Sequence, residues 1–354
     1  MIALLLALGC PKPAAPVLPS WETVPSLPSP TAGAYNRSLE APPDAELARL
    51  VEGRRWDASL SGTAAGLALD LIRTDTDRLL TRWKVRESAW RAGWPYPIDD
   101  AKAWRALEDG APPPQLLAWL EALGPDDDLG LVRARGSQGD LWVALKAHPR
   151  RDLGRIPRQL AQGGELVLPA LPGARYAVAD ANGRLHAGAL DAAVTLQAGS
   201  RGEWLVRIDD DQGRVALFPV YVGIVPPLLP LIEDVVPVRT AVDAIARTES
   251  LLATIRSAYG STKPARDFML DAGARSLLSG GGTTSDGVLG SLGLDPARTA
   301  LWTCEGTTIE ACLDGLIWTP EHRMALLDDA SDVGLAADVG AEGVRLVGIL
   351  SGTD

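Results

Sequence analysis

The sequence predicts an α+β protein in three parts, and two changes of hydrophobic period together with one internal repeat carry that prediction. An apolar period near that of a helix runs through residues 44–120, alternation takes over across about 128–223, and the helical period returns over 236–281. This order gives an N-terminal helical lobe ending in a β-hairpin (44–150), a small middle β-sandwich (160–225) and a C-terminal lobe (236–354).

In the first lobe Leu47, Leu50 and Val51 share a helical face, and Leu60, Ala64, Leu67 and Leu71 continue it from a start near Asp57. Trp83 and Trp90 mark another helix that breaks at Ala92-Gly93, ahead of Pro95 and Pro97. Trp104 and Leu107, then Leu116, Leu117 and Leu120, are expected to add further helical faces. Leu129, Leu131, the run Gly136-Ser137-Gln138-Gly139, and Leu141, Val143 and Leu145 read as a hairpin. In the middle part Ala181-Asn182-Gly183 and Asp210-Asp211-Gln212-Gly213 are hairpin turns, and strands every ten residues or so suggest a sandwich. Pro226, Pro227 and Pro230 make a linker. Val242, Ile245, Leu252 and Ile255 then share one helical face, and the glycines Gly280-Gly281-Gly282 break the pattern.

The last stretch repeats the first hairpin. Residues 128–143 align without gaps on 332–347, with identities at Asp128/Asp332, Gly130/Gly334, Leu131/Leu335, Gly136/Gly340, Gly139/Gly343 and Val143/Val347. Upstream, Asp57-x-x-Leu60 parallels Asp267-x-x-Leu270, and Gly93 and Gly293 fall at similar points between. The sequence thus predicts two related lobes, each of helices followed by a hairpin, on either side of the sandwich.

Composition narrows the function. With 34 Lys and Arg against 45 Asp and Glu, the net charge is −11 and no basic run gathers phosphates, which excludes nucleic acid as a partner. Eleven Trp against two Phe point to half-buried surfaces and helix-packing anchors. No P-loop, dinucleotide fingerprint or Ser-His-Asp set can be assembled, and no cofactor is expected.

The N-terminus reads MIALLLALGC. Its apolar run, Ile2 to Gly9, would make a helix of about 12 Å, too short for a bilayer core of ~30 Å. Ala7-Leu8-Gly9-Cys10 resembles a bacterial lipobox, which implies a signal peptide over 1–10 and a diacylated Cys10 as mature N-terminus. Nine prolines between Pro11 and Pro43 follow, the composition of a semi-rigid tether over 11–43. The expected place is the cell envelope, periplasmic or surface-exposed, with the membrane as partner through lipid on Cys10.

The most informative segment is Trp318-Thr319-Pro320-Glu321-His322-Arg323-Met324-Ala325-Leu326-Leu327, followed by Asp332-Val333-Gly334-Leu335. Thr319 is placed to cap a helix beginning at Pro320, with His322 in its first turn. This segment resembles the bacterial branch of the CAP superfamily (cysteine-rich secretory proteins, antigen 5 and pathogenesis-related proteins, also called SCP-like), where Ser-Pro-Gly-His-Arg-x-x-Leu-Leu precedes a Val-Gly strand. The resemblance implies an α-β-α sandwich over 236–354 and secretion. It also implies a cavity of two His and two Glu. His322 matches one of the His positions, the region 280–287 lacks the other, and Glu305 stands near a carboxylate position but out of register. His322 and Glu305 are therefore the candidate cavity residues, of a degenerate domain without a metal set. The first lobe has no equivalent His, so there the repeat lacks the cavity; His148 and His186 read as surface residues. Thr307-x-x-Glu310 reads as a capping box that puts Cys312 on a helix, with Cys304 just before it. The two either pair in an oxidising compartment or remain buried thiols.

The function expected from all this is binding or scaffolding of an unknown envelope protein or small ligand, without catalysis. One alternative is a hydrolase or metal-dependent enzyme in a cleft around His322 and Glu305. Another is an apolar-ligand carrier for lipid or sterol.

Overall fold

The computed structural model describes residues 21–23, 33–39, 42, 44–74, 80–106, 111–136, 139–226, 235–280, 284–327 and 330–352. Cys10, most of the Pro-rich stretch, Leu107, Pro227, Pro230 and Gly281-Gly282 lie outside them. The fold is α+β.

The first lobe contains β1 (Trp21–Thr23), β2 (Ala34–Tyr35), α1 (Ala45–Leu50), β3 (Arg55–Trp56), α2 (Ala58–Thr74), α3 (Arg82–Ala92), β4 (Asp100–Ala106), α4 (Pro114–Glu121), β5 (Asp128–Gly136) and β6 (Gly139–Ala147). The middle part contains β7 (Ile156–Pro157), β8 (Gln159–Leu160), β9 (Glu165–Leu168), β10 (Arg175–Ala179), β11 (Leu185–Ala189), β12 (Val194–Gln197), β13 (Gly202–Asp210) and β14 (Gly213–Val222). The last lobe contains α5 (Ala241–Ala258), β15 (Ala265–Arg266), α6 (Phe268–Leu278), α7 (Ser285–Ser291), β16 (Thr299–Gly306), α8 (Ile309–Ile317), α9 (Pro320–Leu327), β17 (Asp332–Gly340) and β18 (Gly343–Ser351).

The two lobes have one topology. In the first, β3 runs parallel to the start of β5, which pairs with β6, which pairs with β4. In the last, β15 runs parallel to β17, which pairs with β18, which pairs with β16. Small contacts repeat as well. Leu60 N donates to Asp57 Oδ1 and Leu270 N to Asp267 Oδ1, both at 2.9 Å. Leu131 N donates to Ser61 Oγ at 3.2 Å, and Leu335 N to Asp271 Oδ1 at 2.8 Å. Gly130 and Gly334 lie against the backbone of Leu60 and Leu270, where a side chain would collide.

Each sheet is covered on both faces, because successive strand residues point to opposite sides. Leu129, Leu131, Trp142 and Ala144 pack with Val51, Leu116 and Leu120 around α1 and α4. Val132, Ala134, Val143 and Leu145 face the other way, into the core that holds Leu60, Leu67 and Trp90 of α2 and α3. In the last lobe Ala336, Val347 and Ile349 meet Leu270 and Ala274 of α6 and Val288 of α7. Leu335, Leu346 and Leu350 instead join Leu252, Leu313 and Leu326 of α5, α8 and α9. Both lobes are therefore α-β-α sandwiches, but they turn opposite faces to the centre. The first presents its α2 and α3 layer to the shared core, and the last presents α5, α8 and α9.

The expectation of helix throughout 44–120 is corrected by β3 and β4. Asp100–Ala106 pairs along its length with β6, Trp104 opposite Trp142, and pairing with a strand distant in sequence overrides local helix preference. The helical span 236–281 divides at β15, and Val242 is 76% exposed rather than on the buried face. In the middle part β11, β10, β13, β14 and β8 form one sheet, and β9 with β12 a two-stranded ribbon whose Leu166 and Leu168 enter the same core.

Asp57 is fully buried, and its carboxyl accepts from Ser38 N at 2.5 Å and Leu60 N at 2.9 Å. Burial pushes its pKa up from 3.8 to about 7, against those two bonds, and Asp128 pushes the same way. Between those two values the folded chain holds a proton that the unfolded chain releases. This residue's contribution to stability therefore falls as pH rises through that window, and is flat above it. The stability of wild type relative to Asp57→Asn should fall between about pH 4 and about pH 7, read from thermal midpoints. A difference that does not change with pH would show a carboxylate ionised throughout.

Candidate functional site

The segment 318–327 forms the corner between α8 and α9, and helix geometry decides which of its residues point where. Thr308, one residue after Thr307, caps α8, its Oγ1 accepting from Ala311 N at 3.1 Å. Glu310 does not reach back to the cap. It is buried, and accepts from Val236 N at 3.1 Å and Arg247 Nε at 2.8 Å. The Thr319 hydroxyl donates to Gly315 O at 2.6 Å and caps nothing, while its carbonyl accepts from His322 N (3.0 Å) and Arg323 N (2.8 Å). The first turn of α9 thereby puts His322 in solvent and Arg323 in the interior.

Arg323 is the centre of a buried polar group. Its Nη2 donates to Glu203 Oε1 of β13 at 2.7 Å, and Tyr259 Oη donates to the same oxygen at 3.0 Å. The guanidinium lies 4.6 Å from the Tyr259 ring centre and 5.6 Å from that of Trp318. Burial pushes the Tyr259 phenol well above its ordinary range, which keeps it a donor. One residue before His322, Glu321 holds Arg207 of β13 with two bonds of 2.6 and 2.7 Å, and Arg207 Nε reaches Asp209 at 2.6 Å.

The first lobe meets the same corner from the other side. Trp90 of α3 packs edge-on against Trp318 with ring centres 4.5 Å apart, and its Nε1 donates to Leu217 O of β14 at 2.6 Å. Arg86, one turn earlier, lies 5.2 and 5.3 Å from those two rings and holds Asp314 of α8 with both ends of its guanidinium. All three parts of the chain are thus joined at one place by paired charges and edge-on rings.

Beside this joint lies a cavity of about 580 Å³ between α3, the start of β4 and β14, whose lining includes Arg82, Arg86, Arg214, Trp90 and Tyr96. Burial pushes the Tyr96 phenol up to about 12, and its Oη accepts from Leu153 N at 3.0 Å. A second cavity of about 420 Å³ opens next to Glu203, Tyr259 and Arg323. A third, of about 210 Å³, lies beside Glu249 and Arg266.

None of these three cavities brings His322 and Glu305 together. Glu305 is on β16, exposed, 3.3 Å from Arg345 Nε, and neither residue lines any of the three cavities. The physical reason is the facing of α9, which gives the interior to position 323. Among the described residues no three His, Cys, Asp or Glu side chains are grouped to hold a metal ion. His148 lies 3.5 Å from Asp127, and His186 stacks on Trp204 with 6.1 Å between ring centres. Cys304 and Cys312 are joined by a disulfide with Cα atoms 5.4 Å apart, tying β16 to α8. No helix among the described residues is long and apolar enough to cross a membrane.

No family model matches the chain, and no curated protein matches it. Solved structures give partial likenesses. An outer surface protein of Borrelia burgdorferi is 13% identical with a TM-score of 0.28, over 35% of this chain and all of that one. A cysteine-rich secretory protein of Staphylococcus aureus is 12% identical with a TM-score of 0.28, over 43% of this chain and 56% of that one. An extracellular SCP-domain protein of Bacillus anthracis is 12% identical with a TM-score of 0.27, over 45% of this chain and 64% of that one. The chain thus spans less than two thirds of the latter two proteins.

Sequence reasoning missed the joint itself. The excess of Trp and the segment 318–327 were its visible signals, since Trp90 and Trp318 form its apolar centre and Arg323 its buried charge; Glu203, Arg207 and Asp314 carry no motif.

Proposed function

We propose that this protein is a lipid-anchored protein of the cell envelope that binds or scaffolds and does not catalyse. The observation that carries the reading is the employment of the corner 318–323. Glu321 and Arg323, on either side of His322, hold the last lobe to the middle sheet, and Trp318 and Asp314 hold it to the first lobe. The corner is a fastening, and His322 is its outward-facing residue. The Cys304–Cys312 bond suits an oxidising compartment, which agrees with the lipobox-like Ala7-Leu8-Gly9-Cys10. Recognition of a small ligand is favoured over recognition of a protein by the 580 Å³ cavity, a volume in the usual range for small-molecule sites.

Two experiments test the reading. Cys10→Ser should move the protein out of the membrane fraction and abolish labelling by a palmitate analogue; unchanged labelling would remove the anchor from the proposal. His322→Ala should shift stability by about 1 kcal/mol or less, as for an exposed side chain. Its thermal midpoint should also respond to Zn²⁺, Ca²⁺ and Mg²⁺ no differently from wild type. A metal-induced rise that the variant loses would promote a metal-dependent enzyme centred on His322.

A further inference from the structure

We infer that the cavity between α3, β4 and β14 binds a small anionic amphiphile: one phosphate or carboxylate group on an apolar body. This rests on the binding role proposed above and names its ligand class. The chain carries a net charge of −11, yet three guanidiniums, those of Arg82, Arg86 and Arg214, line this one cavity. Like charges gathered in one cleft repel one another and raise a local field that attracts an anion. Arg86 is paired with Asp314, and the nearby Arg207 with Asp209 and Glu321. Arg82 and Arg214 form no ion pair with any described residue. Arg214 also feels the others: partial burial lowers its pKa, and Arg207, Arg82 and Arg86 add to the lowering against Asp209. An anion entering beside these two side chains gives them the ion-pair partner that neither has among the described residues.

The rest of the wall limits what that anion can be. Leu80, Val85, Ile98 and Leu217 make an apolar floor, and the Trp90 ring is fixed there by its bond to Leu217 O. A bare inorganic ion leaves this floor wet, whereas an alkyl or aryl body covers it. Asp100, the first residue of β4, and Asp99 before it also line the cavity. Asp100 is occupied, accepting from Trp119 Nε1 at 2.8 Å and lying 3.4 Å from Lys102. Asp99 is exposed and repels a second negative group, so the site suits a single charged head and disfavours a polyanion. Such an amphiphile could be free in solution or part of a lipid surface, and the experiment separates the two.

The probe is octyl phosphate below its micelle concentration, titrated calorimetrically into the full chain, with octanol and inorganic phosphate as the two half-ligands. Vesicles of phosphatidylglycerol supply the surface-bound form. The expected result is saturable binding of octyl phosphate, weakened at least ten-fold by Arg82→Glu and by Arg214→Glu, with both half-ligands much weaker. Arg82 is exposed and Arg214 stands beside the β13–β14 turn, so the fold should survive; unchanged thermal midpoints check this, and Arg82→Gln and Arg214→Gln give milder versions. Octyl phosphate that binds equally to the charge-reversed variants overturns the inference. So does inorganic phosphate that binds as tightly, because the apolar floor would then be idle. Binding to vesicles without binding to octyl phosphate also overturns it, by showing surface attraction in place of a cavity. The anchor and metal experiments on Cys10 and His322 do not depend on any of these results.

Discussion

Arg323→Ala is expected to destabilise the protein by about 3–5 kcal/mol, the cost of leaving a buried carboxylate without its partner. Glu203 is 8% exposed and Arg323 3%, and the two meet at 2.7 Å between β13 and α9. Removing the guanidinium leaves Glu203 with the Tyr259 hydroxyl as its remaining described donor. It also takes away the cation lying over the Tyr259 and Trp318 rings. The loss should be read from urea unfolding followed by Trp fluorescence. A companion variant separates the pair from the space it fills. Arg323→Met combined with Glu203→Leu and Tyr259→Phe should recover most of the loss, because well-packed apolar groups often replace a buried ion pair without penalty. A single substitution costing less than about 1 kcal/mol would show that the fastening at this corner is apolar and the charges incidental.

Gly334→Ala and Gly130→Ala should be as damaging, for a steric reason. A Cβ on Gly130 would stand 2.5 Å from the carbonyl of Leu60, and one on Gly334 would overlap the backbone of Leu270. Backbone cannot rotate away as a side chain can, so α2 or α6 would have to lift off its sheet. The expected loss is at or above the upper end of the about 1–3 kcal/mol seen for ordinary overpacking. Gly315→Ala is the control. It lies inside α8, where an added Cβ would meet nothing within 4 Å, and should stabilise by roughly 0.5–1 kcal/mol through helix propensity. If all three variants melt alike, the close approach of helix to strand is not what these glycines provide.

Those glycines also show what was legible beforehand. The repeat could be read from Gly130/Gly334 and from Asp57 and Asp267, because a close backbone approach and a helix start each demand a narrow choice of residue. The hairpin turns at Gly183 and Gly213 were visible for the same reason, since both adopt positive φ. Strand β4 was not visible. Its residues Asp100 to Ala106 have no buried alternation of their own, and only pairing with β6 defines them. At the corner, the motif drew attention to His322, but a motif does not say which way a helix faces. The interior position belonged to its neighbour Arg323, whose partner Glu203 lies 120 residues away. The guanidiniums of Arg82 and Arg214 were likewise invisible, because a cavity wall assembled from α3 and β14 has no period in the sequence.

The position of β18 constrains how the protein can be handled and made. A segment usually tolerates removal only where its backbone is exposed and unpaired. Gly343–Ser351 instead forms an inner strand, with β16 on one side and β17 on the other. Cutting the chain back to Glu342 would remove the middle of a sheet and leave two unpaired edges. The last lobe therefore cannot close until this strand, the final one in its order, has been synthesised. Until then its apolar strands stay open to mispairing with the first lobe, which has the same topology.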